Sequence, residues 1–130
     1  MPRRLLGRLT AALLTTAAFL SPASADEAFD DCLKSSAADD TRCGEEWITR
    51  EQAGLDAAWK ELAAMADGGV ASALTAEQRG WEAFRDLSCA FKLDEGFGGA
   101  GGPTGYHACR AEVIASRTAA LRSYIKYIDN

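Results

Sequence analysis

The chain has 130 residues, with 14 basic and 19 acidic side chains, a formal net charge of −5 and an apolar fraction of 48%. That length suits one compact domain, and the acidic balance argues against a nucleic-acid partner, because phosphate neutralisation needs a basic surface. The same charge suits a cationic partner, or simply the solubility of an exported protein.

Residues 1–25 read as a secretory signal peptide. Arg3, Arg4 and Arg8 make a basic start, residues 11–20 are apolar but for two threonines, and Ala23-Ser24-Ala25 is a small-x-small cleavage pattern. The apolar run falls short of the ~20 residues that a spanning helix needs. A cleaved leader is therefore expected, with 26–130 as the exported domain, periplasmic or secreted. Without the three leader arginines, 11 basic and 19 acidic side chains remain, a net charge of −8. The first cysteine, Cys32, lies well inside this domain, so no lipid-accepting cysteine stands at the cleavage site and no membrane anchor is expected.

Within the domain, 26–36 places Phe29 and Leu33 at i, i+4 beside Cys32, which predicts one or two helical turns. Residues 37–41 read as a turn that ends in a helix cap, since Asp and Thr side chains accept the free amides of a first turn. Over 42–66, Trp47, Ile48, Leu55, Ala58, Trp59, Leu62 and Met65 recur at three- and four-residue steps, the stripe of a long amphipathic helix. Gly54 weakens it by up to about 1 kcal/mol relative to alanine. Asp67-Gly68-Gly69 punctuates its end.

Thr75 and Gln78 fit a capping box, so a central helix is expected to start near Ala76. Along it Trp81, Phe84, Ser88 and Phe91 share one face, which predicts core packing for the two leading aromatics. Residues 94–105, dense in glycine, read as a loop, because glycine loses too much backbone entropy to hold a helix there. Asp94, Glu95, Phe97 and Tyr106 are the candidate binding residues of this loop. A phosphate-cradling role is excluded by the lack of a Gly-Lys-Ser/Thr ending and of a preceding strand. The last helix is expected over 106–128. Its stripe contains Arg117, which is either packed by its stem with its head paired to an acid on a neighbouring helix, Asp86 being the candidate, or exposed on the stripe's margin.

Cys32, Cys43, Cys89 and Cys109 form an even set in a domain expected to be exported, which argues for two disulfides. Three connectivities are open; loop-closure entropy favours Cys32 with Cys43 and Cys89 with Cys109. Metal binding is disfavoured, since no CxxC occurs and His107 is the one histidine. No cofactor is implied either. Catalysis is not indicated: a lone histidine builds no Ser-His-Asp set, paired cysteines are not nucleophiles, and neighbouring acids such as Glu45 and Glu46, or Asp30 and Asp31, point about 100° apart on a helix.

The pattern Gln78-Arg79-x-Trp81-x-x-Phe84-Arg85-Asp86-x-x-Cys89, preceded by Cys32, Cys43 and Leu55-x-x-x-Trp59-x-x-Leu62 and followed by Cys109, Arg117 and Leu121, resembles the LprI-like lysozyme-inhibitor family, formerly a domain of unknown function. The resemblance covers nearly all of 26–130. It implies an exported, disulfide-tied, all-α domain whose characterised relative inhibits lysozyme, so that lysozyme binding is the expected function; the chain departs from the family in lacking the namesake's lipoprotein cysteine and in placing Val113 and Ile114 where a threonine is often found. Residue by residue, Gln78, Arg79, Trp81, Phe84, Arg85, Asp86 and Arg117 read as a structural motif, with binding left to the acidic exterior and the loop. The alternative is an interaction module for another envelope component or another cationic protein. The fold expected is a small bundle of three main helices with a short N-terminal helix clipped on.

Overall fold

The computed structural model describes residues 26–35, 39–94 and 102–129, without the side chains of 102–104. Four α-helices follow one another: α1 Glu27–Lys34, α2 Asp40–Met65, α3 Gly68–Leu87 and α4 Gly102–Ile128, with a 3-10 turn at Ala90–Leu93 before α4. No strand occurs among the described residues. The chain is an all-α bundle of three main helices with α1 docked at one end.

The caps explain the boundaries. Asp26 accepts from the Ala28 amide at 2.9 Å and starts α1. Asp39 accepts from the amides of Thr41 and Arg42 at 3.0 and 3.2 Å and starts α2, as the Asp-Thr turn predicts. α3 differs from expectation: it starts at Gly68, eight residues before the predicted start at Ala76. Thr75 is not its cap. Its hydroxyl donates back to the Ala71 carbonyl at 2.8 Å, and Ser72 does the same to Gly68, so both sit inside a helix carried by Val70, Ala71, Ala73 and Leu74. α4 likewise begins before Tyr106, at Gly102, because Pro103 falls in its first turn, where a missing N–H costs nothing.

α2 and α4 make the main packed pair. Leu55, Ala58 and Leu62 of α2 meet Ile114 and Leu121 of α4 in one buried cluster, which Leu74 and Trp81 of α3 cover. Each fully buried leucine or isoleucine contributes about 1.5–3 kcal/mol. A second cluster at the other end joins Phe29 of α1, Cys43 and Trp47 of α2 and Ala111 of α4, with the Phe29 and Trp47 rings 4.7 Å apart. α2 and α4 therefore run parallel, and α3 returns antiparallel across them. The bonds Cys32–Cys43 and Cys89–Cys109 are both formed, with Cα separations of 5.8 and 5.9 Å. Each restricts the unfolded chain by about 3 kcal/mol.

α2 and α4 pack tightly at Gly44. A Cβ there would lie 2.5 Å from both Cβ and Cγ of His107, so the helices cross at a position that only glycine fits. His107 is buried, and its Nδ1 has no hydrogen-bond partner among the described residues. Gly54 is different: a Cβ there meets nothing within 4 Å. Gly44→Ala is expected to lose about 1–3 kcal/mol by overpacking, and Gly54→Ala to gain up to about 1 kcal/mol from helix propensity. Urea denaturation of both variants checks the opposite signs; equal shifts would contradict the crossing.

Candidate functional site

α3 presents to its neighbours a stripe of Ala71, Leu74, Gln78, Trp81, Arg85 and Ser88, at alternating three- and four-residue steps. The expected face through Phe84 and Phe91 is therefore corrected. From Trp81 the inward step is four residues, to Arg85, and Phe84 is rotated outward with 59% of its surface exposed. Leu87, at 80%, and Phe91, at 52%, are also outside the core. What turns the helix this way is a polar contact, not an aromatic one.

That contact is centred on Arg117 of α4, which is only 7% exposed. Its Nε and Nη2 donate to the side-chain amide oxygen Oε1 of Gln78 at 3.1 and 3.0 Å, and Nη1 donates to Oε1 of Glu77 at 2.5 Å. Tyr124 adds a hydroxyl donor to the same Glu77 oxygen at 3.1 Å. The Arg117 and Arg85 guanidiniums lie 5.8 and 5.5 Å from the Trp81 ring centre, so the indole takes a cation–π contact from each. Arg85 also reaches Gln52 of α2 at 3.3 Å and Asp86 at 2.9 Å.

Asp86 is thus not the partner of Arg117. In the antiparallel pair, moving seven residues on along α3 from Gln78 to Arg85 matches moving seven back along α4 from Arg117 to Arg110. Arg110 accordingly donates to the Arg85 carbonyl, which caps the C-terminal end of α3, and stands 3.8 Å from Asp86. Ser88 then ends the helix in an extended conformation, and Cys89, left-handed at φ 69°, starts the 3-10 turn and is tied by its disulfide to Cys109 beside Arg110.

Sequence reasoning missed Glu77, Gln52 and Arg110. Arg110 alone carried a signal, since it directly follows a cysteine expected to bridge to the end of α3. Arg79 is exposed on the outer side of α3, away from these contacts. Of the loop candidates, Asp94 caps the 3-10 turn and Tyr106 is half-buried on α4; Glu95 and Phe97 lie outside the described residues.

On the outer side of the clamp, α3 and α4 leave an open groove of about 480 Å³, walled by Trp81 and Phe84 on one side and Val113, Ser116 and Ala120 on the other, with Glu112 at its edge. A second surface feature is acidic. Residues 26–46 carry eight acids against Lys34 and Arg42, and α1 and the start of α2 are pinned together by Cys32–Cys43 and by Arg50, which donates to Asp26 at 2.7 Å. Burial raises the Asp26 carboxyl, but the Arg50 bond and the Ala28 and Phe29 amides outweigh it and hold the group below its ordinary range. Among the described residues no group of His, Cys, Asp or Glu is placed to hold a metal ion, and no helix is long and apolar enough to cross a membrane.

The Arg117 hydrogen bond, strengthened by its charge and by Tyr124, holds Glu77 below its ordinary value of 4.5 against the opposing effect of burial. A carboxylate depressed in the folded state stabilises fully above its unfolded pKa and loses that contribution as pH falls through the folded value. Glu77→Gln is therefore expected to melt below the wild type at neutral pH, with the two Tm values converging as pH drops below about 4.5. A gap that stays constant into acid would contradict the pair.

Comparison with known proteins matches residues 32–121 to one family model, described as lysozyme inhibitor LprI. No curated protein and no solved structure matches the chain. The matched residues run from the first cysteine to the buried Leu121 and so take in both disulfides and the Arg117 clamp, well over half of the chain, which belongs to the LprI lysozyme-inhibitor family.

Proposed function

We propose that the protein is exported, with 1–25 as a cleaved signal peptide, and that the domain 26–130 binds and inhibits lysozyme in the periplasm or outside the cell. Family membership across 32–121 is the observation that carries this reading. Two further features support it. Both disulfides suit an oxidising, extracytoplasmic compartment. The domain's charge of −8 suits lysozymes, many of which are strongly cationic with a cleft that uses two carboxyl groups.

Charge of this kind acts mainly on encounter. An acidic surface steers a basic partner toward it over about a Debye length, ~10 Å at 0.1 M salt, and raises the association rate more than the final affinity. The densest acidic stretch, 26–46, sits on a rigid platform, because α1 is bridged to α2 and cannot swing away from it. In this reading the candidate loop from Asp94 to Tyr106 is the element that enters the cleft, and the protein itself performs no catalysis.

A lysis assay tests the function. Purified protein at molar excess is expected to slow lysozyme-driven clearing of a cell suspension at low salt, with weaker protection as salt rises. Absence of protection at large excess and low salt would refute it, and retention on another envelope component with none on immobilised lysozyme would favour the interaction-module alternative.

A further inference from the structure

We propose that the groove between α3 and α4 is the apolar anchor site for a basic protein, one that inserts a bulky aliphatic or aromatic side chain flanked by lysine or arginine. This deepens the lysozyme reading and rests on it for the partner's identity. The first observation is an imbalance within one helix. α3 meets its neighbours through Gln78, Trp81 and Arg85, so its packing is complete without Phe84 and Leu87, yet it carries both on its outer side, 59% and 80% exposed. Side chains of that size contribute substantially to stability when fully buried. Left in water they contribute little to this fold, and Phe84 stands at the wall of the groove, where exposed apolar surface marks an interaction site.

Shape is the second observation. Residues 109, 113, 116 and 120 of α4 run along the groove at helical steps, which at 1.5 Å per residue gives a trough about 17 Å long. Its walls differ in height: Trp81 and Phe84 stand on one side, and the shorter Val113, Ser116 and Ala120 lie on the other. A trough open along its length receives protruding side chains of a protein surface; a small molecule would leave most of its own surface in water.

Charge selects among protein partners. Two ionisable groups line the groove, Arg117 and Glu112. Arg117 is already neutralised by Glu77 at 2.5 Å. Glu112 is exposed and has no ion-pair partner among the described residues, so the uncompensated charge at the groove is negative. A basic side chain next to the apolar anchor would meet it. Two guanidiniums hold the Trp81 ring through cation–π contacts, so the anchor site is ordered before binding and its contact area forms without a large entropy cost.

The test measures binding of the protein to immobilised c-type lysozyme and to a synthetic amphipathic peptide of lysine and leucine. Four variants are compared: Phe84→Ser, Val113→Glu, Glu112→Lys and, as a control at the far end of α3, Val70→Ser. Thermal melts by circular dichroism establish that each variant is folded; Phe84 and Glu112 are exposed, so at least two report on the groove alone. The first two are expected to weaken binding about tenfold or more, Glu112→Lys to weaken it with a shallower salt dependence, and Val70→Ser to leave it unchanged. Lysozyme bound and inhibited equally by wild type and all groove variants would overturn the groove and leave the proposed function standing. Peptide binding that depends on Phe84 and Glu112, with no binding of lysozyme, would support the groove and refute the lysozyme reading. Failure to bind either probe would overturn both, and so would self-association abolished by Phe84→Ser, which would assign the groove to a second copy.

Discussion

A single buried cation decides how the third helix of this bundle is seated. Removing a guanidinium from water costs several kcal/mol unless its donors are satisfied, and Arg117 is satisfied only when Gln78 and Glu77 face it. That requirement fixes the rotation of α3 about its axis and its register against α4. Apolar packing alone is less selective here, because α3 has apolar side chains on two sides, Leu74 and Trp81 on one and Phe84 and Leu87 on the other. Arg110 enforces the same register two turns away, through the carbonyl of Arg85 and the carboxylate of Asp86. The disulfide at Cys89 locks the end of the helix that these contacts align.

The motif Gln78-Arg79-x-Trp81-x-x-Phe84-Arg85-Asp86 thereby divides into two groups by direction. Gln78, Trp81 and Arg85 point to the clamp and act on stability and alignment. Arg79 and Phe84 point outward, and Asp86 lies between, half used by Arg85 and Arg110. A motif that reads as one scaffold unit in the sequence thus carries a scaffold face and a surface face on the same three turns of helix. The acidic surface of α1 and the start of α2 is separate from both, held by Cys32–Cys43 and by the tie of Arg50 to Asp26.

Much of this was legible from residue spacing. The helix read over 42–66 from the Trp47–Met65 stripe matches α2 to within two residues, and loop-closure entropy selects the observed disulfide pairs. What spacing could not carry was the choice between a three- and a four-residue step after Trp81. Both steps are helical, and the three-residue one reaches a phenylalanine, so hydrophobicity favours the wrong face; the arginine wins because its partners lie on another helix. The early start of α3 was hidden for a related reason. Thr75 has the chemistry of a cap, and only the preceding turn of Val70, Ala71, Ala73 and Leu74 decides that its hydroxyl bonds backwards instead. The partner of Arg117 depended on register, which no local pattern encodes, and the tight crossing of Gly44 on His107 gave no local signal either.

The claim that the Arg117 contact seats α3 is tested most directly by a double-mutant cycle on Gln78→Leu and Arg117→Met, followed by urea denaturation. Each single change leaves a buried polar group without its partner, whereas the double change removes both. The account predicts that the double variant loses less stability than the two single variants combined, with a coupling of about 1–2 kcal/mol. Losses that add to within about 0.3–0.5 kcal/mol would contradict it.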